Sequence, residues 1–124
     1  MSLILIIEDN DKNQKLVRDI LQAQGHATLE AGSAEEGIDL ALARLPDLIL
    51  MDIQLPGMNG IEALRVLRER PQSARIPVIA VTASVMQQDR KLITEAGFDA
   101  YVAKPLDLKQ FREAVRNALD GRPS

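Results

Sequence analysis

The chain contains no cysteine, which excludes disulfides and thiolate metal sites. It also lacks any apolar run long enough to cross a bilayer. Strand-like sequence begins so close to the first residue that a charged n-region and a cleavable signal have no room. These absences lead to the expectation of a cytoplasmic protein without membrane insertion. Neither sign of charge dominates: the formal net charge of -3 leaves no basic footprint, so direct nucleic-acid binding is not expected. Internal repeats, low-complexity stretches and an interdomain linker are missing too. What remains is 124 residues, 46% apolar and 27% charged, the balance of one globular domain spanning residues 1–124, with 121–124 as a frayed tail.

Leu3 to Ile7 is solidly aliphatic and stops at Glu8-Asp9-Asn10, as a strand buried on both faces would. The period then lengthens, with Leu16, Val17, Ile20 and Leu21 at helical spacing until Gly25. A weaker strand runs from His26 to Ala31. Ser33 with Glu36 has capping-box spacing before a helix that carries Ile38, Ala41 and Leu42 and ends at Leu45 and Pro46. Leu48 to Met51 forms a second aliphatic run ending at Asp52, and Asn59 can cap the next helix, whose Ile61, Leu64 and Leu67 face inward. Pro77 to Val81 leads to Thr82. Ser84 with Gln87 opens a helix that Gly97 closes, Asp99 to Ala103 makes a last short strand before Lys104-Pro105, and Asp107 with Gln110 starts a final helix bearing Leu108, Phe111, Val115 and Leu119. Five strands alternating with five helices require right-handed crossovers and a parallel sheet covered on both faces, a doubly wound (βα)5 α/β fold of three layers.

In such sheets the ligand sits outside the carboxyl ends of the strands. Glu8, Asp9, Asp52, Thr82 and Lys104 all fall there, so residues nearly a hundred positions apart can converge on one site. Three carboxylates gathered together repel unless a cation joins them, and with no thiol the donors are all oxygen, which favours Mg²⁺ over zinc. Magnesium keeps open positions for phosphoryl oxygens. Transfer of a phosphoryl group to a carboxylate needs an acceptor held in line, charge neutralisation and hydrogen-bond donors. Asp52, the metal, Lys104 and Thr82 suit those roles.

The segments Glu8-Asp9, Met51-Asp52-Ile53-Gln54-Leu55-Pro56, Thr82-Ala83 and Lys104-Pro105 resemble, in order and along the whole chain, the receiver domains of response regulators in the CheY-like superfamily. Asp47 through Pro56 looks most like single-domain regulators of the DivK type. The resemblance implies a flavodoxin-like, CheY-like strand order of 2-1-3-4-5 and a two-component phosphorylation switch. Asp52 would accept a phosphoryl group from a sensor histidine kinase or a histidine phosphotransfer protein. Mg²⁺, with Mn²⁺ able to substitute, would be held by Asp9, Asp52 and the Gln54 backbone carbonyl, with Glu8 acting partly through water. Thr82, Ala83 and Lys104 would bind the phosphoryl group. Thr82 and Tyr101 would form the switch, Pro105 would follow a cis peptide bond, and a downstream protein would be engaged through the fourth helix, fifth strand and fifth helix.

Other readings compete at single positions. Glu8 and Asp9 could simply cap the first helix, and Thr82 and Lys104 taken alone are an ordinary strand residue and a surface charge. His26, away from the acidic edge, reads as a solvent-facing residue. Gly57 and Gly60 read as loop geometry near the site, not as a dinucleotide fingerprint, because no G-x-G-x-x-G follows the first strand. A magnesium-dependent phosphohydrolase of the haloacid-dehalogenase kind also uses a strand-end Asp, but carries a second Asp two residues on, where this chain has Gln54. A constitutive binding module is disfavoured by the intact set of site residues. Without a placed general acid, only self-directed phosphotransfer and slow autodephosphorylation are expected, and the resemblance implies that Gln54 and Ser84 influence how water approaches the phosphoryl group. Because the chain stops after the fifth helix, output is expected through protein contacts, either as a regulator without an output domain or as the receiver segment of a larger regulator or hybrid kinase.

Overall fold

The computed structural model describes residues 2–55, 57–83, 87–104 and 106–120, with the side chains at 87–90 and 92 outside the description. The aliphatic runs form β1 (Leu3–Ile7), β2 (Ala27–Ala31), β3 (Leu48–Asp52), β4 (Val78–Thr82) and β5 (Ala100–Ala103). Between and after them lie α1 (Asp11–Ala23), α2 (Ala34–Arg44), α3 (Gly60–Glu69), α4 (Gln87–Ala96) and α5 (Leu108–Asp120). All strand pairs are parallel, in the order β2-β1-β3-β4-β5. That is the expected doubly wound order, with the chain reversing direction across the sheet between β1 and β3.

Strand alternation divides the core into two layers. Ile4, Ile6, Leu48, Leu50, Ile79, Val81 and Val102 pack with Val17 and Leu21 of α1 and Phe111 and Val115 of α5. Leu5, Ile7, Ile49, Met51, Val78 and Ala80 pack on the other side with Ile38 of α2, Ala63, Leu64 and Leu67 of α3, and Ile93 of α4. Every residue of β3 and β4 is buried, which is why these runs carry no polar alternation.

Helix starts follow the capping chemistry. Asn10 accepts from the backbone N–H of Lys12 at 3.0 Å and of Asn13 at 3.1 Å, so it, rather than Glu8 or Asp9, caps α1. Ser33, Asn59 and Asp107 serve α2, α3 and α5 in the same way, accepting from Glu36, Glu62 and Gln110. Gly25 and Gly97 leave α1 and α4 with positive φ, whereas α2 ends on Leu45 at φ 47°, a conformation that costs a side-chain-bearing residue about 1–2 kcal/mol. Two apolar residues expected on the inward helix faces sit outside the core: Leu16 is 49% exposed, one position round from the buried Val17, and Leu108 is 45% exposed, so the buried face of α5 begins at Phe111. The expected cap at Ser84, the Lys104-Pro105 peptide geometry, Pro56 and the 121–124 tail lie outside the described residues.

Candidate functional site

Alternation continued past the strand ends decides which side chains meet. Glu8 follows Ile4 and Ile6 in parity, Asp52 follows Leu48 and Leu50, and Lys104 follows Val102, so all three fall on the α1/α5 side of the sheet at its carboxyl edge. Lys104 Nζ donates to Glu8 Oε1 and to Asp52 Oδ2, both at 2.9 Å, joining positions 96 and 52 residues apart. The Gln54 backbone N–H donates to the other Asp52 oxygen, Oδ1, at 2.9 Å. Glu8 and Asp52 are almost fully enclosed, with side chains 7% and 6% exposed, while Asp9 is exposed at the rim. Ladder bonds extend beyond the strands here: Ile53 N–H donates to the Val81 carbonyl at 3.1 Å and Lys104 N–H to the Thr82 carbonyl at 2.8 Å. The backbone on either side of the site is thereby fixed.

Burial is the main cause that pushes the Glu8 carboxyl up to about 7, helped by the adjacent Asp52 carboxylate and its charge, with Lys104 opposing. For Lys104 burial acts downward, but hydrogen bonds to Asp52 and Glu8 outweigh it and the ammonium is raised. A carboxyl held above its ordinary value of 4.5 binds a proton in the folded state before it does in the unfolded chain, so its contribution is present at low pH and is lost as pH rises to about 7. In urea melts with chelator, the stability of the parent relative to Glu8→Gln should therefore fall between pH 5 and 8, on the order of 3 kcal/mol at most. A difference that stays flat or rises over that range counts against the buried, proton-sharing arrangement.

Glu8, Asp9 and Asp52 each offer a carboxylate oxygen, all within 4.8 Å of one another. Three carboxylates against the single Lys104 ammonium leave two negative charges when all are ionised. Glu8 Oε2 is buried with no hydrogen-bond partner among the described residues. An all-oxygen set with two surplus charges and an orphaned buried acceptor fits a hard divalent cation. This agrees with the donor chemistry expected from the sequence.

Thr82, the last residue of β4, is 2% exposed and shares parity with Ala80, toward the α2–α4 layer. Tyr101, paired with Ala80 in register, packs half-buried against that same layer. The two residues expected to switch thus lie on one side of the sheet, and the acid-lysine cluster on the other. Ala83 is exposed just beyond β4, and Gln54 is exposed beside Asp52. His26 is half-buried rather than solvent-facing, at the opposite edge of the sheet, where it helps line a cleft of about 460 Å³ with Arg112 and Arg116.

Gly60, expected as loop geometry near the site, instead opens α3 directly against the segment that carries Asp52. A Cβ there would stand 2.9 Å from the Asp52 carbonyl oxygen and 3.0 Å from Ile53 Cα, and its N–H donates to the Ile53 carbonyl at 3.1 Å. Both obstacles are backbone atoms, so Gly60→Ala must displace the start of α3 or the segment carrying Asp52. The expected cost is about 1–3 kcal/mol, read from urea unfolding; a loss below about 0.5 kcal/mol would show that the contact relaxes freely.

The family of response regulator receiver domains matches residues 4–116. The chain belongs to that family. Among receiver relatives, it is 43% identical over 116 residues to the polar-differentiation response regulator DivK of Brucella ovis, a stretch covering 94% of each chain. Its fold is similar to the receiver domain of a sensor histidine kinase from Pseudomonas aeruginosa, with TM-score 0.89, 30% identity and 96% and 98% of the two chains covered. That receiver was solved with a magnesium ion coordinated in its active-site cleft. The chemotaxis protein CheY4 of Vibrio cholerae, at 21% identity, TM-score 0.90 and 96% and 99% coverage, shares the fold. The receiver identification and the CheY-like topology expected from the sequence are both borne out, and the chain is a signalling protein of the response regulator class. Among the described residues no helix is long and apolar enough to cross a membrane.

Proposed function

We propose that residues 1–124 form one receiver domain that acts as a phosphorylation switch, with Asp52 as the acceptor. The observation that carries this reading is the Lys104 ammonium bridging Glu8 and Asp52 beside Asp9 at the ends of β1, β3 and β5. Asp9, Asp52 and the Gln54 carbonyl, with Glu8 alongside, would hold Mg²⁺, which would supply charge neutralisation for the phosphoryl oxygens; Mn²⁺, with similar donor preferences, would substitute. Asp52 Oδ1 is held by the Gln54 N–H, which fixes the carboxylate plane and presents it to the donor. The P–N bond of a phosphohistidine breaks as the P–O bond to Asp52 forms, leaving an acyl phosphate on this chain and a histidine on the donor that takes its proton from solvent. Lys104 balances the charge gathering on the transferred group, and the Thr82 hydroxyl and Ala83 N–H offer donors to it.

Thr82 lies on the α2–α4 side, so bonding the phosphoryl group draws its hydroxyl toward the opposite side of the sheet. Tyr101, on the same side as Thr82, follows into the space released. Phosphorylation thereby biases a packing equilibrium on the face made by α4, β5 and α5, where a downstream protein binds. Turnover is limited to self-directed transfer and loss of the acyl phosphate, since the residue two past Asp52 is the exposed Gln54 and not an acid. The donor is a sensor histidine kinase or histidine phosphotransfer protein, and the site of action is the cytoplasm. A second reading, in which the chain is the receiver segment of a hybrid kinase, is favoured by the likeness to receivers of histidine kinases from Pseudomonas aeruginosa and Syntrophus aciditrophicus, at 30% and 29% identity.

Intact mass after incubation with acetyl phosphate, with magnesium and with EDTA, tests the proposal. One phosphoryl adduct that needs magnesium supports it. No adduct on the folded protein under either condition would make the chain a binding module that has lost its chemistry.

A further inference from the structure

Gln14, in the second turn of α1, is tied to the acidic centre although it contributes no charge to it. Its side-chain Nε2 donates to the Glu8 carbonyl at 3.1 Å and to the Ala31 carbonyl at 3.3 Å. The Ala31 carbonyl also accepts the Glu8 N–H at 3.0 Å. The carboxamide therefore closes a bracket across the ends of β1 and β2, one residue beyond the point where β1 stops. Within that bracket lies the peptide between Glu8 and Asp9. Neighbouring side chains leave an extended backbone in opposite directions, so the plane of this peptide sets whether two consecutive carboxylates can serve one cation. Here they can: Glu8 is buried, Asp9 is exposed, and their oxygens lie within 4.8 Å of each other and of Asp52.

We propose that Gln14 is a positioning residue of the acidic site, its carboxamide holding the Glu8-Asp9 peptide in the orientation that turns both carboxylates toward the same divalent cation. The inference rests on the cation-binding reading given above. It is independent of phosphotransfer, because what Gln14 governs is the geometry of the ligands before any donor arrives.

The test is magnesium titration of the full chain by calorimetry, on the parent and on Gln14→Met, which keeps side-chain length and helix propensity but removes both donors. Losing a group that orients metal ligands costs about 10–100-fold in affinity, so the magnesium Kd should rise at least about tenfold while the melting temperature in EDTA stays close to the parent's. A purely structural role would move the melting temperature and leave the Kd of the folded protein alone. A variant Kd within about twofold of the parent overturns the proposal. The parent itself supplies a reading that needs no variant: the Gln14 side-chain amide protons should exchange with solvent measurably more slowly than those of the exposed Gln24, and equal rates would overturn it as well. A folded parent that binds no magnesium instead removes the cation reading on which the proposal stands, an outcome distinct from a parent that binds and a variant that binds equally.

Discussion

Asp52→Asn is expected to abolish the phosphoryl adduct entirely while the protein stays folded. The substitution keeps the shape of the side chain and its oxygen toward the Gln54 N–H, the bond seen at 2.9 Å. It replaces the oxygen facing Lys104 with an amide nitrogen, which is no nucleophile and sets donor against donor where a 2.9 Å ion pair stood. Leaving a buried group without its partner costs about 1–3 kcal/mol, a loss that a well-packed sheet tolerates. Lys104 retains Glu8 Oε1 as an acceptor, so its charge is not stranded. Intact mass after acetyl phosphate and magnesium, with a thermal melt followed by circular dichroism, separates loss of chemistry from loss of fold. An adduct of parent yield on the variant would move the acceptor to another carboxylate, of which Glu8 and Asp9 are the nearest candidates, and would overturn the assignment of Asp52.

The positions of these groups were legible because each ends an aliphatic run: β1 stops at Glu8, β3 at Asp52, β4 at Thr82 and β5 just before Lys104. A buried parallel strand tolerates almost no polar residue along its length, so a charge at its end marks the carboxyl edge of the sheet. Period-two alternation goes further and puts Glu8, Asp52 and Lys104 on one side, with Thr82 and Tyr101 on the other. Strand order is a different matter. Nothing in the spacing of apolar residues says that β1 lies between β2 and β3, and that adjacency is what brings Glu8 to Asp52; the order came from the resemblance to receiver domains. Gln14 is not legible in the sequence, and Gly60 is legible only as loop geometry, for a related reason. A glutamine in a polar turn of a helix looks solvated, and its role exists only once the ends of β1 and β2 are side by side beneath it. Gly60 looks like loop punctuation until α3 is seen to start against the Asp52 carbonyl. Leu16 and Leu108 erred the other way, since helical spacing marks an apolar stripe without saying how wide a stripe the sheet will cover.

The second large effect concerns Lys104, which bridges Glu8 and Asp52. Lys104→Met keeps the aliphatic stem and deletes the ammonium, leaving two nearly enclosed carboxylates without the cation they share. Removing one partner of a buried ion pair costs about 3–5 kcal/mol, and the 22% exposure of the lysine side chain places this case near the lower end. That loss should appear in urea melts at pH 8 with EDTA. It should shrink as pH falls toward about 7 and level off below: with Lys104 gone, the one group that pulls the Glu8 carboxyl down is gone, so the variant takes up the proton that relieves the repulsion at a higher pH than the parent does. Magnesium should restore stability at pH 8 by replacing the missing charge. Phosphotransfer behaves differently: the metal cannot stand where the ammonium stood against the transferred group, so the rate of adduct formation from acetyl phosphate should remain about 10²–10³-fold below the parent at saturating magnesium. Lys104→Arg divides the two roles further, since a guanidinium keeps the charge but cannot place one compact nitrogen between two oxygens; it should recover most of the stability and little of the rate. A Lys104→Met protein that accepts the phosphoryl group at the parent rate, whatever its stability, would reduce Lys104 to a brace for two acids and leave the charge on the transferred group to be met by the cation and the backbone alone.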